Sequence, residues 1–242
     1  MRRRGKQLAF VSGFVLLLFL FSYQFTEQHV IKTWNLPLSG KVIILDPGHG
    51  GMDGGAVGKG GVLEKDITLD ISLKLRDYLQ EAGALVIMTR ERDKDLGDPS
   101  VEKVRKRKMQ DLRKRKEIIN GSHGDLYVSV HLNALPASQW RGAQVFFHPS
   151  DKQGATASKF IQAELKRNLE NTNRVAKSID GIYLLRTSKL PGTLVEVGFL
   201  SNPSERELLK TKTYQMKISA SIYQGILRYY TNEKVPKDGA GQ

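Results

Sequence analysis

Three regimes of apolar patterning follow one another along the chain. The first is an uncharged run over residues 7–26, continuously apolar from 14 to 21. As a helix it would span about 30 Å, the thickness of a bilayer core. Arg2, Arg3, Arg4 and Lys6 precede the run and Glu27 follows it. That charge asymmetry predicts a membrane-anchor helix over 1–26, with its start cytoplasmic and the rest of the chain outside. A cleaved signal peptide is the competing reading, but residues 21–26 offer no convincing small-x-small cleavage site. The second regime, 27–40, is a short linker with Pro37 and Gly40 near its end.

From residue 41 onward, short apolar runs alternate with longer mixed segments. Strands are expected at 41–45, 84–88, 126–130, 143–147, 182–185 and 193–197, and helices at 65–82, 100–120, 155–171 and 213–230. In the last helix Ile218, Ile222 and Ile226 repeat at i, i+4, i+8, one helical face. The first is ambiguous, since Ile67, Leu69, Ile71, Leu73 and Leu75 alternate as a strand would. Its length and the stop at Gly83 favour helix. The alternation of elements predicts an α/β domain, 41–232, with a mainly parallel twisted sheet flanked by helices, then a flexible tail over 233–242. Functional sites in such sheets gather at the carboxyl ends of strands.

Three polar clusters stand where expected strands leave the core. They are Asp46-Pro47-Gly48-His49-Gly50-Gly51, Ser129-Val130-His131-Leu132-Asn133-Ala134, and Leu194-Val195-Glu196-Val197-Gly198-Phe199. Glu64 follows a glycine-rich loop and opens a helix. Two histidines and a glutamate are a ligand set of catalytic zinc, with water in the fourth place, so His49, Glu64 and His131 are candidate ligands for one Zn2+ per chain. Amide hydrolysis also needs a group to take a proton from water and pass it to the leaving nitrogen, and Glu196 is placed for that. Each residue has a plainer reading. Glu64 suits the first turn of any helix, and a histidine at a strand end is often only hydrogen-bonded. His29, His123 and His148 read as surface residues.

Composition narrows the chemistry. No cysteine occurs among the 242 residues, which excludes a disulfide framework, a cysteine-ligated zinc finger and a cysteine nucleophile. The net charge is +13. Beyond the first six residues the chain carries 34 basic and 25 acidic side chains and keeps a net charge of +9. That surplus favours anionic partners. Lys103, Arg105, Lys106, Arg107, Lys108, Arg113, Lys114, Arg115 and Lys116 crowd one expected helix. No aromatic residue lies between 100 and 120 for base stacking, and the export segment removes the domain from nucleic acid. The run therefore reads as a solvated face suited to wall or membrane surfaces rather than to chemistry.

Residues 46–51, Glu64-Lys65, Thr89-Arg90, 129–134 and 194–202 together resemble the type 3 N-acetylmuramoyl-L-alanine amidase family, over residues 41 to about 230. The resemblance implies a six-stranded sheet in one domain. It places the family's zinc ligands on His49, Glu64 and His131 and its catalytic glutamate on Glu196. It also implies a peptidoglycan substrate, cut between N-acetylmuramic acid and L-alanine, with an activating protein partner possible. The short anchored chain without wall-binding repeats is most similar to germination-specific members from endospore formers, which implies a role in spore cortex maturation. A zinc peptidase cutting within the stem peptide, and a basic wall-binding module without catalysis, are the competing readings. Some relatives insert an inhibitory helix between the second histidine and the glutamate. Here residues 132–195 are largely committed to core elements, so no segment is expected to cover the metal.

Overall fold

The computed structural model describes residues 2–30, 36–231 and 233–236. In chain order its elements are α1 (Arg2–Val30), β1 (Val42–Pro47), β2 (Val57–Gly58), β3 (Val62–Leu63), α2 (Glu64–Glu81), β4 (Leu85–Met88), α3 (Val104–Gly121) and β5 (Leu126–Asn133). There follow β6 (Gln144–Phe147), α4 (Lys152–Leu169), β7 (Lys177–Ser178), α5 (Tyr183–Thr187), β8 (Gly192–Phe199), α6 (Pro203–Leu209) and α7 (Lys212–Tyr230).

Six strands form one sheet in the order β4-β1-β5-β8-β6-β7, and β2 and β3 make a separate hairpin. All neighbours in the large sheet run parallel except β6 and β8. The mainly parallel α/β sheet read from the sequence is therefore present.

Side-chain parity divides the sheet into two faces. Ile43 and Leu45 of β1, Leu126, Val128, Val130 and Leu132 of β5, and Val195 and Val197 of β8 bury against α2, α4 and α7. In α2 the stripe Ile67, Ile71, Leu75 and Leu79 is buried, while Leu69 and Leu73 are only partly so. The helical period thus governs this segment, despite its alternating sequence. The opposite face is thinner. Ile44, Tyr127 and Leu194 pack there with Ile119 of α3 and Leu184 and Leu185 of α5. Asp46, Ser129 and Glu196 share the parity of these residues, and so does His131. The polar row at the strand ends therefore opens onto this second face.

One expected strand is corrected. Residues 183–185 form the start of α5, with Ile182 as its extended cap, and not the strand expected over 182–185. Leu184 and Leu185 are consecutive and both buried, which a half-covered strand cannot arrange and one helical turn can. The sixth strand is β7 instead, two exposed polar residues at the sheet edge.

The helix expected at the N-terminus forms and runs to Val30. Its residues from Phe14 to Phe21 are exposed. No helix among the described residues is long and apolar enough to cross a membrane. The expected linker and tail fall partly outside the described residues, which omit 31–35 and 237–242. Leu38, assigned to the linker, is fully buried in the main core, and its amide donates to the Ala82 carbonyl.

Candidate active site

The site is assembled around the loop that leaves β1. Asp46, the first polar residue on the second face, is buried and accepts hydrogen bonds from Thr89 Oγ1 (2.7 Å), Ser129 Oγ (2.6 Å) and Arg115 Nη1 (2.7 Å). Burial alone would raise its pKa. The Arg115 charge and the two hydroxyl donors more than offset that and hold it down at about 2. Arg115 also donates to Asp111 and to the carbonyls of Pro47 and His49. Arg90, equally buried, donates to the carbonyls of Pro47, Gly48 and Lys65. Two guanidiniums thus fasten the loop through its backbone and fix its path.

His49 sits in this loop in the left-handed region, φ 62°. A non-glycine residue rarely adopts it without surrounding constraint, which the arginine clamps supply. Gly48 and Gly55 make room: a Cβ on Gly48 would lie 2.4 Å from the His131 ring, and one on Gly55 would lie 2.6 Å from Glu64 Oε2.

His49, Glu64 and His131 converge, one ligand atom from each lying within 4.8 Å of the others. His49 Nε2 is 3.2 Å from Glu64 Oε2, and His131 Nδ1 is 2.9 Å from Glu64 Oε1. The two imidazoles meet edge to face at 5.0 Å between centroids. Glu64 is buried at the start of α2 and is held by the amides of Ala56 (2.7 Å) and Leu132 (2.9 Å). Burial opposes its charge, but the two histidines hold its carboxyl well below the usual range. The plain first-turn reading of Glu64 does not describe a buried carboxylate between two imidazoles.

The donor set fits zinc. Two imidazole nitrogens and a carboxylate oxygen, gathered within 4.8 Å of one another, are the donor types that zinc takes. His49 Nδ1 lies 2.8 Å from Asp53 Oδ2. An ionised carboxylate only accepts, so Nδ1 carries the proton and Nε2 is left for a metal. Burial works against charge on His49, yet the Asp53 and Glu64 carboxylates raise its pKa to about 9 in the metal-free protein.

Glu196 stands opposite His131 in the β5–β8 register, and both line one cavity. Its Oε2 is buried without a hydrogen-bond partner. Burial pushes its pKa up to about 7, eased by His131 and reinforced by Glu64. A carboxyl poised near neutrality beside a candidate metal can take and return a proton.

The structure thus brings all four sequence-predicted residues together. It keeps His123 exposed at a turn, while His148 bonds Ser150 and Asp180 away from them. The side chain of His29 lies outside the described residues. Asp53 was not anticipated, although its spacing of four from His49 within a glycine-rich loop was a usable signal. The basic run departs from expectation: Lys108 and Arg115 line the same cavity as Glu196, so one face of α3 belongs to the site.

The family profile for N-acetylmuramoyl-L-alanine amidases matches residues 43–228. The germination-specific N-acetylmuramoyl-L-alanine amidase of Bacillus subtilis is 55% identical over 238 residues, covering 98% of this chain and 100% of its own. The CwlD amidase of Clostridioides difficile, solved in complex with the GerS lipoprotein, superposes with a TM-score of 0.78 at 45% identity. That match covers 80% of this chain and 100% of that one. AmiC2 of Nostoc punctiforme, another N-acetylmuramoyl-L-alanine amidase, gives 0.69 at 29% identity over 80% of this chain and 99% of its own. The chain belongs to the N-acetylmuramoyl-L-alanine amidase family.

Proposed function

We propose that this amidase uses one zinc ion, held by His49, Glu64 and His131, to hydrolyse the amide between N-acetylmuramic acid and L-alanine in spore cortex peptidoglycan. The observation that carries the reading is the convergence of those three ligand atoms beside Glu196, whose buried Oε2 has no hydrogen-bond partner. Zinc in that place supplies Lewis acidity, polarising the carbonyl oxygen and acidifying water. Glu196, with its raised pKa, accepts the proton of the attacking water and delivers it to the leaving alanine nitrogen. Asp53 holds His49 in the tautomer that a metal requires. Arg90 and Arg115 keep the loop in place without touching the reacting atoms.

The cortex assignment is supported by the near full-length likeness to a germination-specific relative. A lipoprotein partner is supported by the complex in which a neighbour was solved. Export, with α1 as the membrane anchor, is supported by the uncharged run over 7–26 behind three arginines. Zinc titration of the metal-free chain tests the metal reading. One equivalent should bind and restore amide cleavage, and activity at full rate in metal-free protein would overturn it.

A further inference from the structure

One wall of the catalytic cavity is a single face of α3, carrying Lys108, Asp111, Leu112 and Arg115 at i, i+3, i+4 and i+7. Two of these residues bear a fixed positive charge. Arg115 is buried, with its donors engaged by Asp46, Asp111 and two backbone carbonyls. Lys108 differs. Its side chain is 42% exposed, and its ammonium lies 2.9 Å from Asp53 Oδ2. An ammonium has three N–H donors, and this contact uses one. Leu112, Ile182 and Tyr183 give the same cavity an apolar lining.

We propose that Lys108 is a specificity-determining residue that binds a carboxylate on the peptide stem beside the scissile amide. This rests on the amidase reading. The leaving nitrogen belongs to L-alanine. The next stem residue is a D-glutamate joined through its γ-carboxyl, so its α-carboxylate stays free unless the wall is amidated. That group lies within a few bonds of the cut. The apolar lining suits the methyls of the lactyl and alanyl units, and Lys108 is the accessible cation in the same space. A lysine discriminates between carboxylate and carboxamide because its hydrogen bond to the charged group is much the stronger. Lys108 also contacts Asp53, and through it His49, so a purely supporting role is the rival.

Two soluble muropeptides separate these roles. They differ only in whether the second stem residue carries an α-carboxylate or an α-carboxamide. The full chain with zinc, its Lys108→Met variant and its Lys108→Arg variant are compared for kcat, KM and bound metal. The expected result is a preference for the acid of about tenfold in kcat/KM, mostly through KM. Lys108→Met should bring the ratio near one, and Lys108→Arg should keep it. An unchanged ratio in Lys108→Met overturns the proposal. So does an equal loss on both substrates together with lost zinc, which would make Lys108 a support for Asp53. A wild-type enzyme that cuts both substrates equally sinks the proposal and leaves the amidase reading standing. A wild-type enzyme that cuts neither sinks both.

Discussion

Each side chain at the site has a distinct failure when replaced. His131→Ala removes one of the three proposed protein ligands, so both bound zinc and activity should be lost, as metal analysis and turnover would show. Glu196→Gln keeps the shape but takes no proton. It should bind zinc normally while losing about 100- to 10,000-fold in kcat. Lost zinc in that variant would make Glu196 a ligand and reverse the roles of the two carboxylates. The same substitution has a signature in the metal-free protein. The folded pKa of Glu196 is raised to about 7 from 4.5, so folding holds its proton more tightly than the unfolded chain does. The associated stability is present below the unfolded value and is lost as pH rises through about 7. Glu196→Gln should therefore raise the melting temperature at pH 8 and do little at pH 4. An equal effect at both pH values would contradict the raised pKa.

Residues without chemistry matter as much to the geometry. Arg115→Ala would leave Asp46 and Asp111 buried without their cation, a loss of roughly 3–5 kcal/mol for a broken buried pair. Denaturant titration should show that loss, accompanied by weaker zinc binding, because Arg115 also clamps the loop that carries His49. The four candidate site residues were legible in the sequence because each stands at the end of an apolar run or a glycine loop. Asp46 and Ser129 stood in the polar clusters at strand ends without a role, and Thr89 and Arg90 were visible only as part of a resemblance. Their bonds to one another span separations such as 43 and 83 residues, which no local pattern encodes.

At the level of elements, long periodic segments were readable and short ones were not. The stripe in α7 and the buried runs of β1, β5 and β8 specify themselves. Two-residue strands carry no pattern: β7 is Lys177 and Ser178, both exposed, and is defined only by pairing with β6. Helix α6 went unread although its start carries a cap, Asn202 accepting from the Glu205 amide with Pro203 in the first turn, because seven residues are too few to show a periodic stripe. The basic helix α3 was half legible. Its charge count favoured solvent, yet its Lys108–Arg115 face lines the cavity, while Arg105, Lys106, Arg113 and Lys114 are exposed. Neutralising Lys106, Arg113 and Lys114 together should weaken sedimentation with anionic wall material, more at low salt than at high. Turnover of a small soluble muropeptide should barely change. A large loss on that substrate would place the outer face of α3 in catalysis too.

The whole molecule places its chemistry where its sheet is least covered. Helices α2, α4 and α7 bury one face, and the site opens on the other, between α3 and α5. Glu64 reaches the same point from the start of α2, so both layers contribute to one candidate metal position. The cavity lies at the carboxyl ends of β1, β5 and β8, the position that an α/β sheet offers any ligand. Zinc-dependent cleavage at the muramoyl–alanine bond is the central claim, and one measurement meets it directly. Purified peptidoglycan is incubated with the metal-free chain, with and without added zinc, and the soluble products are identified by mass spectrometry. Intact stem peptides with a free L-alanine amine, released only in the presence of zinc, are the predicted result. Shortened peptides cut within the stem, or the same intact stems released without metal, would contradict it.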